Sequence, residues 1–297
     1  MSAKQRVYGV SRRYNQWVNN QTLEDYALRF TAKRSRRWSI ARVANTATGA
    51  ISFLALEAIG AAITISYGFD NTLAAVLVVG TLIFLVGLPI CYYAAKYGVD
   101  IDLLTRGAGF GYLGSTVTSL IYATFTFIFF ALEAVIMAKA LELLLGLPLA
   151  AGYIVSSLVV IPMVFYGITF VSRFQLWSQP VWVFLQVLPL MFILMNDAGL
   201  ASEWQLYQGT KQEEPGVNLL LFGAASAVIF ALVAQTGEQV DFLRFLPEKN
   251  SANRVSWWAG LLLAGPGWIV IGAVKILIGS FLAVVAIGQG IPSKEAV

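Results

Sequence analysis

Runs of roughly 20 apolar residues recur along this 297-residue chain, and that recurrence limits its fold more than any other feature. Each run is long enough to cross about 30 Å of hydrocarbon as an α-helix. Hydrocarbon offers no water to exposed backbone N–H and C=O groups, so helices, which satisfy those groups internally, are the expected solution. Only 12% of residues are charged against 58% hydrophobic, where a soluble domain has about a quarter charged. Most runs also lack the polar face of a helix on a water-soluble core. The fold class read from the sequence is all-α and integral to the membrane, with the lipid bilayer as a partner.

Seven transmembrane spans can be drawn: Val43–Tyr67, Thr72–Ala95, Leu113–Leu145, Leu149–Val171, Val181–Met195, Val217–Gln235 and Trp257–Ala286. The third and seventh are long enough to need tilt, a kink or a turn outside the bilayer. Residues 1–42 hold ten Lys/Arg against two acids, and no apolar segment of a signal peptide precedes them. With that tail inside, the same side also collects Lys96, Arg106, Arg173, Arg244, Lys249 and Arg254, while the other side holds Lys211, Lys294 and, near its boundary, Lys139. The asymmetry predicts a multi-pass protein of the cell (inner) membrane with a cytoplasmic N-terminus. Because the basic residues gather at one end, the net charge of +4 gives no reason to expect a nucleic-acid partner.

Chemistry is restricted by what the chain lacks. There is no histidine and a single cysteine, Cys91, in an apolar run that reads as packing. Histidine metal sites, histidine proton relays and an intrachain disulfide are excluded. No nucleophile–base pair or metal cluster is visible, so an enzyme is not expected, and no cofactor is called for. Lys275, in the last span after Gly265-Pro266-Gly267, invites comparison with the Schiff-base lysine of retinal pumps, but the expected inside N-terminus is opposite to theirs. The chain stops at Ile291-Pro292-Ser293-Lys294-Glu295-Ala296-Val297 with no polar tail, which reads as a fragment or a truncated frame.

Two carboxylates lie deep within spans. Glu57 stands in Leu56-Glu57-Ala58-Ile59-Gly60, and an ionisable residue there is a functional candidate by default. Gly60 and its small neighbours let the helix unwind or another helix approach, and unwound backbone exposes carbonyls that coordinate a cation. Glu133 follows Phe129 and Phe130 at helical spacing, which stacks them on one face. An aromatic platform beside an acceptor suits a planar ligand rich in N–H groups, although lipid contact is the commoner role of membrane phenylalanines. The stretch Ala234-Gln235-Thr236-Gly237-Glu238-Gln239-Val240-Asp241 reads equally as a solvated helix end or as the wall of a site or gate.

Three passages together resemble the nucleobase–cation symporter family, which includes purine, cytosine, allantoin and hydantoin permeases. They are the connector Tyr97-Gly98-Val99-Asp100-Ile101-Asp102-Leu103-Leu104-Thr105-Arg106-Gly107-Ala108-Gly109-Phe110-Gly111 with Gly114, the corner Tyr166-Gly167-Ile168-Thr169-Phe170 with Ser178 and Pro180, and Val240-Asp241-Phe242-Leu243-Arg244-Phe245. The resemblance implies twelve helices in two inverted five-helix repeats, with helices one and six broken at the midplane and the sites between them, the third and the eighth. On that scheme residues 1–42 form the tail, 43–195 the first repeat, 196–216 an extracytoplasmic loop and 217–297 the first two helices of an incomplete second repeat. It would put a cation, Na⁺ or H⁺, by the carbonyls of Leu56 and Ile59 beside Glu57 and Gly60. It would put a small-molecule substrate among Phe129, Phe130, Glu133, Phe230, Ala231, Leu232 and Gln235. Two departures stand out: Glu133 replaces an amide, and Leu232 stands where an aromatic usually sandwiches the ring. The expected function is cation-coupled transport of a nucleobase-like or related nitrogenous solute. The alternatives are a transporter-like sensor module and a non-functional truncation product.

Overall fold

The computed structural model describes residues 30–211, 214–293 and 296. The first part of the expected basic tail, residues 1–29, lies outside the described residues, as do Lys294 and Glu295. Every regular element among the described residues is helical. Five stretches are long and apolar enough to cross a membrane: Phe69–Tyr97, Ile101–Leu145, Gly167–Asn196, Leu219–Leu243 and Arg254–Gly288. Two shorter apolar helices, Ala55–Tyr67 and Leu149–Met163, accompany them. The most apolar windows of Ile101–Leu145 and Gly167–Asn196 bury none of their residues inside the protein. Apolar surface on that scale is incompatible with water and fits lipid, so the chain is a helical membrane protein.

The expected first span is two helices. α1 (Ile40–Gly49) starts at Ser39, whose hydroxyl accepts the Arg42 N–H at 3.1 Å. It ends where the Ser52 hydroxyl donates to Gly49 O at 2.7 Å, a local bond that competes with helix continuation. After this break at residues 50–54, α2 (Ala55–Tyr67) runs to Gly68, whose φ of 81° turns the chain within one residue into α3 (Phe69–Tyr97). The connector forms α4 (Ile101–Thr105) and a wide helical turn over Arg106–Phe110, kinked at Gly109, before α5 (Gly111–Leu145).

Then come α6 (Leu149–Phe165) and α7 (Gly167–Asn196). The fourth and fifth expected spans differ here: α7 is one 30-residue helix running through Pro180 and Pro189, with Gly167 (φ 78°) as the corner. The expected loop over 196–216 contains a short helix, α8 (Leu200–Gln205), and is tied down. Trp204 Nε1 donates to Ser280 Oγ at 2.7 Å, and Thr210 N donates to Ile65 O at 2.8 Å. The expected sixth span is α9 (Leu219–Phe230), a 3-10 segment over Ala231–Ala234, and α10 (Gln235–Leu243). The expected seventh is divided at Gly265-Pro266-Gly267 into α11 (Arg254–Ala264) and α12 (Trp268–Gly288).

The closest packing is α12 against α2. A Cβ on Gly60 would lie 1.9 Å from Ile276 O, and one on Gly279 would lie 2.0 Å from Glu57 O. Gly60 therefore serves close helix approach rather than unwinding, the small-residue contact by which membrane helices associate without a hydrophobic drive. Around this contact one core cluster gathers Leu56, Ile63, Ile83, Ile229, Leu232, Trp268 and Ile276. A second, including Ala47, Cys91, Val240, Leu243, Trp257 and Leu261, joins α1, α3, α10 and α11. Cys91 is buried there against Gly265, in a packing role. The described part of the basic tail is docked as well: Arg36 donates to Thr31 O at 3.1 Å and to Ala95 O at 2.9 Å, near the C-terminal end of α3.

Gly279→Ala must push α2 and α12 apart, an overpacking that costs about 1–3 kcal/mol or more. Its melting temperature in detergent is expected to fall by several degrees. Gly223→Ala in α9, with no atom within 4 Å of the added methyl, should leave it unchanged or raise it.

Candidate ligand and charge site

The start of α2 carries the site. Its first backbone donor, Ala55 N, bonds at 2.7 Å to Glu133 Oε1, which α5 brings across from its middle. The first turns of a helix leave N–H groups without internal partners, and a carboxylate there also faces the positive end of the helix dipole. Phe129, one turn before Glu133, meets Phe53 of the break edge to face, with ring centroids 5.4 Å apart. Phe125 lies behind it at 4.5 Å. The break is thus walled by an aromatic pair and an acceptor.

In the first turn of α2, Glu57 enters an ion pair. Its Oε1 lies 2.7 Å from Lys275 Nζ and accepts the Gln186 side-chain amide at 2.6 Å. The side chains are 12% and 2% exposed, so both charges are withdrawn from water. The Lys275 ammonium also sits 4.7 Å from the centroid of Trp182, within cation–π range. The Glu57–Lys275 contact is a close ion pair without the alignment of a hydrogen bond, and Glu57 Oε2 is buried with no hydrogen-bond partner among the described residues. Glu57 and Gln186 face a cavity of about 640 Å³ between α2, α5, α7 and α12. Its walls are otherwise apolar, from Leu54, Leu132, Ile136 and Leu185 among others, with Lys139 at the α5 side.

The expected site residues divide. Leu56, Ile59, Phe129 and Leu232 come together in or against one core cluster. Phe130 (43% exposed) and Phe230 (46% exposed) face outward with Ala231, away from that cluster. Helical geometry explains Phe130: with Phe129 turned inward, the next residue lies about 100° around the helix. Gln235 is buried, but its amide donates to Glu238 Oε2 at 2.5 Å, within α10. Leu56 and Ile59 lie inside α2, past the break at 50–54.

Two of the three passages that carry the family resemblance touch. Asp100 starts α4 by accepting Leu103 N at 2.8 Å, and its other oxygen lies 3.4 Å from Arg244 Nη1. Asp241 Oδ1 accepts Ile101 N at 3.4 Å, and Asp102 accepts the Ser119 hydroxyl. α10 is thereby tied to the connector leading into α5. Lys275, Gln186, Trp182 and Phe53 were not among the residues expected at the site. A lysine in an apolar span must find a counter-charge, so its pairing with one of two intramembrane carboxylates was legible; the amide and the indole from α7 carried no sequence signal.

Fold and site together define a helical membrane protein with interrupted helices around buried charge. Comparison of the chain with family models, with curated proteins and with solved structures gives no match.

Glu133→Ala strands the Ala55 N–H, a loss of about 1–3 kcal/mol, and is expected to lower thermal stability; Glu133→Gln retains an acceptor and should lose much less. Arg244→Ala leaves Asp100 buried without that partner and should destabilise by about 3–5 kcal/mol, as breaking a buried pair does. Melting of the purified variants in detergent measures both.

Proposed function

We propose that the chain is a secondary transporter, or the N-terminal part of one, that moves a nucleobase-like or related nitrogenous small molecule across the cell membrane in exchange for the energy of a Na⁺ or H⁺ gradient. The observation that carries this reading is the interruption of two neighbouring helical segments. α1–α2 breaks at 50–54, α9–α10 passes through a 3-10 segment at Ala231–Ala234, and α9 packs on α2. Interrupted helices at membrane depth are tolerated where they line a cavity or a site, and transporters use them to hold solute and ion.

Glu133, Phe129 and Phe53 supply the remaining chemistry. A planar heterocycle would stack on or beside the phenylalanine rings while its N–H groups find the carboxylate. The preference is for donor-rich rings, since an ionised carboxylate accepts and does not donate. In this reading seven spans start from a cytoplasmic N-terminus, and the Asp100–Arg244 pair closes the cytoplasmic end of α10 against the connector.

Binding of a panel of purines, pyrimidines and hydantoins to the purified protein, followed by uptake into proteoliposomes, tests the proposal. Phe129→Ala and Glu133→Gln are expected to weaken binding at least about tenfold, the loss of one good contact of roughly 1.4 kcal/mol. If neither substitution changed binding of any panel compound, the site would be misassigned. Binding without uptake would favour a sensor module over a transporter.

A further inference from the structure

We propose that the cavity between α2, α5, α7 and α12 is a seat for one membrane glycerophospholipid, with an acyl chain inside it and the phosphodiester at Lys139. This goes beyond the transporter reading and does not depend on it. The cavity measures about 640 Å³, within the roughly 300–1,000 Å³ of small-molecule sites. Its lining runs from Leu132 to Lys139 on α5 and from Gly279 to Ala286 on α12, each about 10 Å of helix. Hydrocarbon is about 30 Å thick, so the cavity extends along much of one leaflet. Leu54, Leu132, Val135 and Leu185 line it and are exposed, so it is open to its surroundings rather than enclosed. α5 and α7 are the helices whose most apolar windows bury no residue in the protein, so those surroundings are acyl chains.

What fills the cavity follows from its walls. Apolar walls hold water poorly, and an empty space of this size forfeits dispersion contacts for every atom around it. The polar groups on the wall are few. Glu57 Oε1 is taken by Lys275 and Gln186, and Oε2 is buried, so a nitrogen-rich solute would find no free acceptor on that carboxylate. Lys139 is the other charge on the wall. It is exposed and forms no hydrogen bond or ion pair among the described residues, not even with Glu142 three residues further on. It lies six residues past Glu133 and six before the end of α5 at Leu145, about 9 Å of helix each way. From that depth a lysine reaches the headgroup region by extending its stem, and a phosphodiester is the anion it meets there. Inside a bilayer an acyl chain gains no hydrophobic energy by exchanging one apolar environment for another. Retention of one lipid therefore rests on the void and the lysine beside it acting together.

Native mass spectra of the delipidated protein in detergent, titrated with phosphatidylglycerol and with diacylglycerol of the same chains, test the seat. Wild type is expected to retain one phosphatidylglycerol beyond the statistical series of weak adducts. Lys139→Gln should weaken that retention about fivefold, the effect of one basic residue at a headgroup, and leave diacylglycerol retention unchanged. Val135→Trp fills the cavity from α5 and should abolish retention of both lipids with Lys139 still in place. Leu185→Trp makes the same test from α7 should Val135→Trp fail to fold. Absence of a retained lipid in wild type would overturn the proposal, as would equal retention in Lys139→Gln or in a folded cavity-filling variant. A panel compound whose binding is lost in folded Val135→Trp but kept in Phe129→Ala would assign the cavity to the solute and overturn the lipid seat. The lipid readouts involve no transport, so the transporter reading can fail without touching them.

Discussion

Glu57 and Lys275 are held 2.7 Å apart at a helix crossing where only glycine fits. The two facts depend on each other. A lone charge in a membrane helix is expensive, so neither residue belongs in its span without the other. The charges meet at this distance because Gly60 and Gly279 let the α2 and α12 backbones almost touch. The crossing in turn fixes the start of α2, and with it the break that Glu133 reaches from α5. Removing the glycine contact would separate the ion pair and the break together. Packing, charge and site geometry are therefore one constraint.

The helices around this crossing are unequal. α2, α3, α9 and α12 supply the buried core, whereas α5 buries only Ser115 and Ala138 and α7 only Ser172. Besides Phe129, which packs against the core cluster, α5 and α7 reach the crossing through a few directional contacts: Glu133 on Ala55 N, Gln186 on Glu57, and Trp182 against Lys275. Between these contacts lies the cavity, walled by apolar side chains. Directional bonds at a few points with open volume between them suit a site that admits a small molecule better than a continuous dry interface would.

Much of this was legible in the sequence, for reasons that differ by element. The apolar runs located the helices because hydrocarbon enforces length and composition on every span. The turns at Gly68, Gly98 and Gly167 need a positive φ that glycine supplies, but the expected fourth span ran through Gly167, because a lone glycine in an apolar run does not by itself end a helix. Glu57 and Glu133 announced themselves as charges in apolar surroundings. The failures have a common cause. Pro180 and Pro189 sit in an uninterrupted α7, since neighbouring helices and local adjustment tolerate proline inside membrane helices. Facing was also illegible: Phe129 and Phe130 are the same residue type, one residue apart, and only the rotation of α5 against its neighbours decides which turns inward. Gly60 carried two meanings, unwinding and close approach, and the partner backbone on α12 selects the second.

The two intramembrane carboxylates differ in what they answer to. Glu133 Oε1 is engaged by a backbone N–H, a donor whose charge state never changes. Its local role is to hold the edge of the break, and in the proposed function a ligand N–H must use the other oxygen or displace Ala55 N. Glu57 answers to an ammonium, an amide and a cavity, with one oxygen left over. Of the two it is the one held by side chains of other helices rather than by a backbone group. The ion pair and the break are joined through α2 itself, which carries Glu57 in its first turn and the Glu133 contact at its first residue.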